Sequence, residues 1–312
     1  MSPASKPVVD PLSDVLSLLR PRSYAFRGLD AAGRWAVDFP AAAGLRCYAI
    51  DAGGCWLVLD TAAAPLWLGA GDVVLLPHGE AFRLATALDA EPADAIPLLT
   101  SVPEGEVAVL NGGGETTGVG GYFAFAPTRA ERLLRALPPV VHIASAEDEA
   151  GLHGFIARLM RELREPRPGG RLVAEHLAQT LLVQALRLHL ADAAAGGVGW
   201  LYALADPRMS LAIAAIHAKP GRRWTLVALA DIAGMSRSSF AARFRASVGE
   251  PPMEYLTRWR MLMASDRILN AAQPISTIAP ALGYESESAF GAAFKREFGI
   301  SPRRYGREAR AA

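Results

Sequence analysis

The sequence has few of the features that mark secreted, membrane-bound or disulfide-rich proteins. Its 312 residues include only two cysteines, Cys47 and Cys55, so a reducing compartment is expected rather than a disulfide framework. No apolar run approaches the ~20 residues of a membrane-spanning helix. The first residues show no basic stretch followed by an apolar one, so no signal peptide is expected. We therefore expect a cytoplasmic protein, and its length predicts two domains.

Charge is almost balanced over the whole chain but unevenly distributed. The formal net charge is +1, yet residues 200–312 hold 16 lysines and arginines against 9 acidic residues. Residues 1–199 hold 16 against 22. A basic part joined to an acidic part indicates that only the C-terminal part meets a polyanion such as DNA.

The C-terminal part contains an internal repeat. LVALADIAGMSRSSFAARFRASVGEPPMEY, from Leu226, aligns with ISTIAPALGYESESAFGAAFKREFGISPRRY, from Ile275, and Phe240 matches Phe290 at an offset of 50 residues. Each copy has an apolar stripe, a glycine that ends one helix and a serine that begins the next. This pattern predicts a helix-turn-helix unit in each copy, whose second helix enters the major groove of DNA.

The stretch from Met253 to Ala271 between the copies is predicted to be one long helix. Its length would be ~28 Å, close to the ~34 Å between successive major grooves on one face of DNA. One chain is therefore expected to place two recognition helices in adjacent grooves. The alternative is an all-helical scaffold that uses the duplicated hairpin for protein contacts.

The segment from about Trp224 to Arg307 resembles the AraC/XylS family of transcription regulators. The resemblance is carried by WTLVALADIAGMSRSSFAARFR, PPMEYLTRWRM and IAPALGYESESAFGAAFKREFGISPRRY, the last of which is the family signature. It implies a DNA-binding regulator that is not an enzyme, with RNA polymerase as a further partner. Most members of the family are activators.

Two sets of residues are expected to contact double-stranded DNA. Basic side chains would contact phosphates, which supply salt-dependent affinity with little sequence information. This set is Arg237, Arg245, Arg258, Arg260, Lys295, Arg296, Arg303 and Arg304. The resemblance places base-reading positions at Ser238, Ala241, Ala242, Glu287, Ser288, Gly291 and Ala292. Relatives often carry arginine at the positions of Ala242 and Ala292, so readout is expected to rely more on thymine methyl contacts and DNA shape.

Residues 10–145 consist of short apolar runs separated by glycine and proline turns, which is typical of a β-barrel or sandwich. GDVVLLPHG, CWLVLD and VGGYFAFAP followed by LLRALPPVVHI resemble the cupin-type ligand-binding domain of one branch of this regulator family. A small effector is then expected inside the barrel. The side chains expected to line its pocket are Trp35, Tyr48, Trp56, Trp67, His78 and Phe82, with plain core packing as the alternative for the aromatic ones.

A metal-dependent cupin enzyme with a DNA-binding tail is the alternative function. Such enzymes hold a metal through several histidines and a carboxylate. Phe82 and Tyr48 stand where relatives often have histidine, which leaves His78 alone. No metal, cofactor or catalytic residue is therefore expected, and His78 is interpreted as a rim or turn residue.

The two cysteines are redox candidates, because a related type of regulator responds to oxidants through cysteines in this domain. A hairpin about Ala52-Gly53 would pair Ile50 with Cys55 and leave Cys47 farther along its strand. The two thiols would then be poor disulfide partners, since a bridge needs Cα atoms within ~7 Å. Buried structural cysteines are the preferred interpretation.

The expected fold is therefore of the α+β class. A cupin-like β-barrel with flanking helices is expected over residues 1–145, and an all-α DNA-binding domain with two helix-turn-helix units joined by a long helix over residues 201–312. Residues 146–200 are predicted to form amphipathic helices that pack either on the barrel or on a second copy as a homodimer.

Overall fold

The structure is a computed structural model that describes residues 10–19, 23–62, 64–124, 134, 137–145, 151–165, 167–192, 197–271 and 273–311. Internal contacts divide the chain into two compact units. The barrel unit lies within Pro21–Asp192. The helical unit combines helix α1 (Pro11–Leu19) with the described residues from 197 onward.

The barrel unit is built mainly from short strands. They are β1 (Ser23–Ala31), β2 (Ala36–Phe39), β3 (Leu45–Ala52), β4 (Gly54–Val58), β5 (Leu66–Gly69), β6 (Val73–Leu76), β7 (Phe82–Ala85), β8 (Pro92–Asp94), β9 (Val107–Leu110), β10 (Thr116–Ala124) and β11 (Val141–Ile143). Its helices are α2 (Ala95–Thr100), α3 (Leu152–Arg164) and α4 (Gly170–Asp192).

The strands form two facing sheets. One has the order β11-β6-β3-β10-β1-β9 and the other the order β5-β4-β7-β2-β8. Buried side chains from both sheets, among them Val37, Leu57, Val74 and Leu84, share one core. The expected sheet-rich N-terminal domain is confirmed.

The hairpin expected at Ala52-Gly53 does not form. β3 pairs with β10 and β6, whereas β4 pairs with β5 and β7, so the two strands belong to different sheets. The chain changes sheets at Gly53, whose φ of +71° lies in the left-handed region that favours glycine. The expected pairing of Ile50 with Cys55 was therefore wrong, because Cys55 instead lies opposite Leu68.

The helices that follow the barrel strands pack on the barrel. α3 buries Leu152, Ile156 and Leu159 against β1, β3 and β10, and α4 lies along α3 and contacts β11. Packing on their own barrel was one of the two arrangements expected for these helices. The domain boundary was expected after residue 145. Residues 146–150, just beyond it, lie outside the described residues, so the boundary stays a prediction.

The helical unit contains α1 and eight further helices among the residues that the structure describes. These are α5 (Trp200–Ala203), α6 (Pro207–Ala218), α7 (Leu226–Ile232), α8 (Arg237–Val248), α9 (Pro252–Asn270), α10 (Ile275–Ala281), α11 (Glu287–Phe298) and α12 (Pro302–Ala311). The pairs α7–α8 and α10–α11 are the two helix-turn-helix units, joined by α9. The expected helical C-terminal domain is confirmed.

α1 belongs to the helical unit although it precedes the barrel in sequence. It packs on α6 and α9, with Leu12 and Val15 buried. This placement differs from the expected boundary, which assigned the chain from residue 1 to the barrel domain. The physical reason is that α1 buries its apolar face against helices about two hundred residues away, and no local pattern encodes such a contact.

The two copies of the repeat begin their second helices in the same way. The Ser236 hydroxyl accepts a hydrogen bond from the backbone N–H of Ser239, and that of Ser286 accepts one from Ala289. Such a cap satisfies a backbone donor that the helix itself leaves free. The serine positions of the repeat therefore act as the sequence predicted.

Paired phenylalanines form the core of each unit. Phe240 and Phe244 in the first unit, and Phe290 and Phe294 in the second, are completely buried. The rings are 5.6 Å apart in the first pair and 5.8 Å apart in the second. Matched positions of the repeat thus have matched packing.

Replacing Phe290 with alanine is expected to lower the free energy of unfolding of the helical unit by about 3–5 kcal/mol, because the change removes a fully buried ring. Chemical denaturation followed by far-ultraviolet circular dichroism measures this loss. Arg296→Ala, on the exposed side of the same helix, is the control and should change stability by less than about 0.5 kcal/mol. A Phe290→Ala protein as stable as the control would contradict the packing described for this core.

His217 is a buried polar residue at the centre of the helical unit. Its Nε2 lies 2.8 Å from the Tyr255 hydroxyl, its ring stacks on Trp259 at 3.6 Å between centroids, and its Nδ1 lies 3.3 Å from Asp14 Oδ2 on α1. Burial lowers the pKa of His217 below its ordinary value of 6.5, and Asp14 opposes this only in part. The imidazole is therefore neutral near pH 7.

The stability of the helical unit is expected to fall as the pH drops from 7.5 through 6.5 towards 5.5. The unfolded chain takes up a proton at His217 in this range, whereas the folded chain resists it, so protonation favours unfolding. Chemical denaturation at these pH values should show a weaker pH dependence for His217→Gln than for the wild type. Exposed His78→Gln is the control. Equal pH dependence in the wild type and His217→Gln would show that His217 carries no such linkage.

Candidate nucleic-acid interface and ligand cavity

The second helix of each unit turns one side to the core and the other to solvent. Capping serines and buried phenylalanines fix the rotation of α8 and α11, so the remaining positions face outward. Of the expected base-reading residues, Ser238, Ala242, Glu287, Ser288 and Ala292 are exposed, and Ala241 and Gly291 are half-buried. The outward faces consist mainly of small side chains, which allow close approach to another surface.

The basic residues expected at phosphates differ in their surroundings. Arg304 is exposed, but its Nε donates to Glu308 on the same helix at 2.6 Å. Arg258 and Arg260, on α9, make contacts within the helical unit. The exposed residues for which no ion pair with another described residue is found are Arg237, Arg245, Lys295, Arg296 and Arg303.

Arg258 forms an ion pair with Glu250, which precedes α9. Its side chain is 29 % exposed. A guanidinium held by a carboxylate of its own chain is a weaker candidate for a phosphate contact than a free one. The structure therefore gives Arg258 an internal role that the sequence did not predict.

Arg260 connects the two helix-turn-helix units. Its Nε donates to the carbonyl oxygen of Pro220 at 2.7 Å, and its Nη2 donates to that of Arg222 at 2.9 Å. The same guanidinium lies 5.7 Å from the ring centre of Tyr284. Pro220 and Arg222 precede the first unit, whereas Tyr284 lies in the turn of the second unit, so Arg260 joins them.

Two glycines allow the loop before the first unit to approach the turn of the second. A Cβ atom on Gly221 would overlap the carbonyl oxygen of Ala281, and Gly283 has a φ of +79° and faces the carbonyl oxygen of Gly221. Arg223 and Glu285 pair across the same junction at 2.6 Å. The two helix-turn-helix units are thus held together by this junction as well as by α9.

The contacts of Arg260 correct its expected role. The half-buried guanidinium already donates to two carbonyl oxygens and packs on an aromatic ring, so it is a weaker candidate for a phosphate contact than the exposed basic residues. Desolvation by its surroundings also lowers the pKa of Arg260 from its ordinary value, with Tyr284 opposing the shift. Arg260 contacts the loop before the first helix-turn-helix unit and the turn of the second, and so helps to fix their relative position.

Replacing Arg260 with methionine is expected to reduce stability by about 1–3 kcal/mol, because two backbone carbonyls lose a charged donor. The slope of DNA affinity against salt should not change. Arg245→Ala is the matched comparison, and it should reduce that slope by about 1, as expected for a lost phosphate contact. Fluorescence anisotropy over a series of salt concentrations measures both slopes. A reduced slope for Arg260→Met would mean that Arg260 contacts a phosphate after all.

The barrel contains an apolar cavity of about 430 Å³ that is partly open to solvent. Strands β1, β10 and β3 form one wall. On the other side β2, β4 and β7 contribute Val37, Cys55 and Leu84, with Trp35 just before β2, and α2 covers the cavity with Leu98 and neighbouring side chains. An apolar cavity of this size is typical of a small-molecule site.

Three rows of paired residues form the strand wall of the cavity. Side chains of alternate residues in a strand point to the same face. The rows, each given in the order β1, β10, β3, are Ala25–Tyr122–Arg46, Arg27–Gly120–Tyr48 and Leu29–Gly118–Ile50. The middle strand contributes glycine in two of the three rows. A Cβ atom on Gly120 would overlap the ring of Tyr48, so the glycine allows that ring to pack across the strand.

The guanidiniums of Arg27 and Arg46 are held at the polar end of this wall. Arg27 Nε donates to the carbonyl oxygen of Val102 at 3.1 Å. Arg46 is only 6 % exposed, donates to the carbonyl oxygen of Pro40 and lies 5.1 Å from the ring centre of Phe82. Burial raises the pKa of Tyr48 above its ordinary value, with Arg46 opposing, so the phenol beside them is neutral.

The expected pocket residues are only partly brought together. Trp35 and Tyr48 line the cavity, but Trp56, Trp67, His78 and Phe82 do not. Trp56 and Trp67 pack on each other at 5.1 Å, and Trp67 is 46 % exposed. Phe82 stacks on Phe39 at 4.6 Å, and His78 is exposed in the turn after β6.

Sequence reasoning missed Arg27, Arg46, Gly118 and Gly120 as cavity residues. The alternation of small and aromatic residues in TTGVGGYFA is a signal that could have found the glycines. It marks one face of a strand that carries little side-chain volume. The arginines have no comparable local signal.

Both cysteines are buried free thiols. Burial raises the pKa of Cys47 to about 12 and that of Cys55 to about 12. Cys55 lines the cavity, whereas Cys47 alternates along β3 with the cavity-facing Arg46 and Tyr48. Because the thiolate is the reactive form of cysteine, this burial favours a structural role over oxidant sensing.

The described part of the chain shows neither a metal-binding cluster nor a membrane-spanning helix. It contains no group of three or more histidine, cysteine or acidic side chains arranged to hold a metal ion. Within the same residues, no helix has the length and apolar character needed to cross a membrane.

Comparisons with known proteins agree with this division of the chain. A family model described as cupin matches residues 10–191, and one described as helix-turn-helix domain matches residues 229–308. A putative AraC-like transcription regulator of Streptomyces antibioticus is 40 % identical over 95 % of this chain and 98 % of its own length. A protein of the same name from Streptomyces lividans is 39 % identical over the same shares. The HTH-type transcriptional regulator AlkR of Acinetobacter baylyi is 30 % identical over 95 % of this chain and 99 % of its own length.

Proposed function

The chain belongs to the AraC-like family of transcription regulators, and we propose that its helical unit binds two adjacent major grooves of DNA under the control of a small molecule held in the barrel cavity. The observation that carries the proposal is the pair of exposed helices, α8 and α11, joined by one continuous helix and by the Arg260 junction.

The dimensions of the helical unit support binding to adjacent grooves. At ~1.5 Å per residue, α9 is ~28 Å long, close to the ~34 Å of one turn of DNA. The exposed basic residues Arg237, Arg245, Lys295, Arg296 and Arg303 would bind the phosphates beside each groove. The small side chains at the base-reading positions would let both helices enter deeply, with DNA shape contributing to specificity.

The barrel cavity supports control by an effector. It is largely apolar, and the Nε1 of Trp35, which lines it, is a buried donor without an acceptor among the described residues. A ligand oxygen would satisfy such a donor, whose burial otherwise costs free energy. An effector bound here alters DNA binding only if it prefers one arrangement of the protein to another.

The remaining partners follow from the family. The proposed setting is the cytoplasm, where the regulator binds double-stranded DNA and acts on RNA polymerase, most readily as an activator. The proposed assembly is a homodimer formed through the helical pair α3–α4, whose Leu172 is 58 % exposed.

DNA selected from a random pool by the full chain is expected to contain two half-sites whose centres lie ~10 base pairs apart. Inserting ~5 base pairs between them should weaken binding by about tenfold or more, because half a turn moves one groove to the opposite face. The same insertion outside the half-sites is the control. Fluorescence anisotropy at one fixed salt concentration measures these affinities, and equal binding to both DNAs would refute simultaneous contact with two grooves.

A further inference from the structure

Among the described residues, the side chains that line the cavity include positively charged ones and no negatively charged one. Arg27 and Arg46 contribute guanidiniums, and no aspartate, glutamate, lysine or histidine belongs to the lining. Neither arginine forms an ion pair with another residue that the structure describes; each donates to a backbone carbonyl instead. Two cations therefore face a largely apolar space without a counter-charge.

The charges are concentrated at one end of the cavity. In the rows of paired residues, Arg46 and Arg27 occupy the first and second rows, whereas the third row consists of Leu29, Gly118 and Ile50. A molecule that fits this wall has an anionic group at one end and an apolar body at the other.

The geometry points to a carboxylate with an apolar body as the class of effector, its carboxylate between Arg27 and Arg46 and its apolar body beyond the glycines of β10. This inference rests on the proposed role of the cavity as the effector site. Guanidinium groups match carboxylates through paired, charge-assisted hydrogen bonds. Such a pair also offsets the free energy that a buried, uncompensated charge costs. Amines and other cations would be repelled by the same two groups.

Calorimetric titration of the full chain at pH 7.5 with decanoate, 1-decanol and decylamine tests this assignment, because the three probes share one apolar body and differ in the head group. Decanoate is expected to bind at least about tenfold more tightly than 1-decanol, and decylamine is expected to bind most weakly. Arg46→Gln should remove most of the preference for the carboxylate while leaving the affinity for 1-decanol nearly unchanged.

Arg27→Gln provides a second variant at a half-buried position, so the test survives if Arg46→Gln fails to fold. Arg34→Gln is the matched control, because Arg34 is exposed, pairs with Asp89 and lies outside the cavity lining. It should keep the full preference of the wild type.

Equal binding of decanoate and 1-decanol would overturn the carboxylate assignment and leave the cavity as an effector site for neutral molecules. A preference that persists in both the Arg27 and the Arg46 variants would also overturn it, because the anion would then be held elsewhere. If none of the probes binds, the assignment fails together with the proposed effector site. DNA binding by the same preparation tests the remainder of the proposed function separately.

Discussion

Both helix-turn-helix units depend on packing against one helix, α9. At its start Tyr255 packs edge-to-face on Phe244 of the first unit at 5.7 Å, and farther along Met261, Ala264 and Ile268 enter the core of the second. A hairpin of two short helices buries too little apolar surface to be stable alone, so each unit requires this shared partner. The distance between the recognition helices is therefore set by core packing rather than by a flexible linker. The Arg260 junction adds a second connection, which resists rotation of one unit about α9.

The parts of this fold that could be predicted are those encoded by near neighbours in sequence. Ser236 and Ser286 cap the residues three positions later, and Phe240 and Phe290 lie one helical turn from their partners, so the repeat could be interpreted before any coordinates. The role of Arg260 could not be predicted, because the sequence does not distinguish an exposed arginine on α9 from a half-buried one. The same limit applies to α1. Its partners lie about two hundred residues away in sequence, and such distant contacts leave no periodic pattern in the sequence of α1 itself. It applies also to β3 and β4, where a glycine turn typical of a hairpin instead carries the chain between sheets.

The cavity illustrates a different limit of sequence interpretation. Five of the six expected pocket residues are aromatic, yet Trp56, Trp67 and Phe82 pack outside the cavity, because aromatic rings fill space rather than leave it open. Gly118 and Gly120 line the cavity without side chains of their own, and the Tyr48 ring packs over Gly120. Glycines that line a cavity are hard to recognise from one sequence, because they contribute no side chain to it. Their charged neighbours, Arg27 and Arg46, are recognised only once the register of β1, β10 and β3 is known.

The order of elements along the chain constrains how an effector acts on DNA binding. The barrel unit is inserted between α1 and α5, so both of its ends continue into the helical unit. α1 is held there by its buried leucine and valine and by the approach of Asp14 to His217. Only residues 20–22 separate α1 from β1, the strand that carries Arg27 into the cavity wall. The proposed effector would therefore contact a strand that is only three residues in sequence from a helix of the helical unit. Under the proposed control, its influence on DNA binding is set by the difference in its affinity for the arrangements of the protein that bind DNA well and poorly.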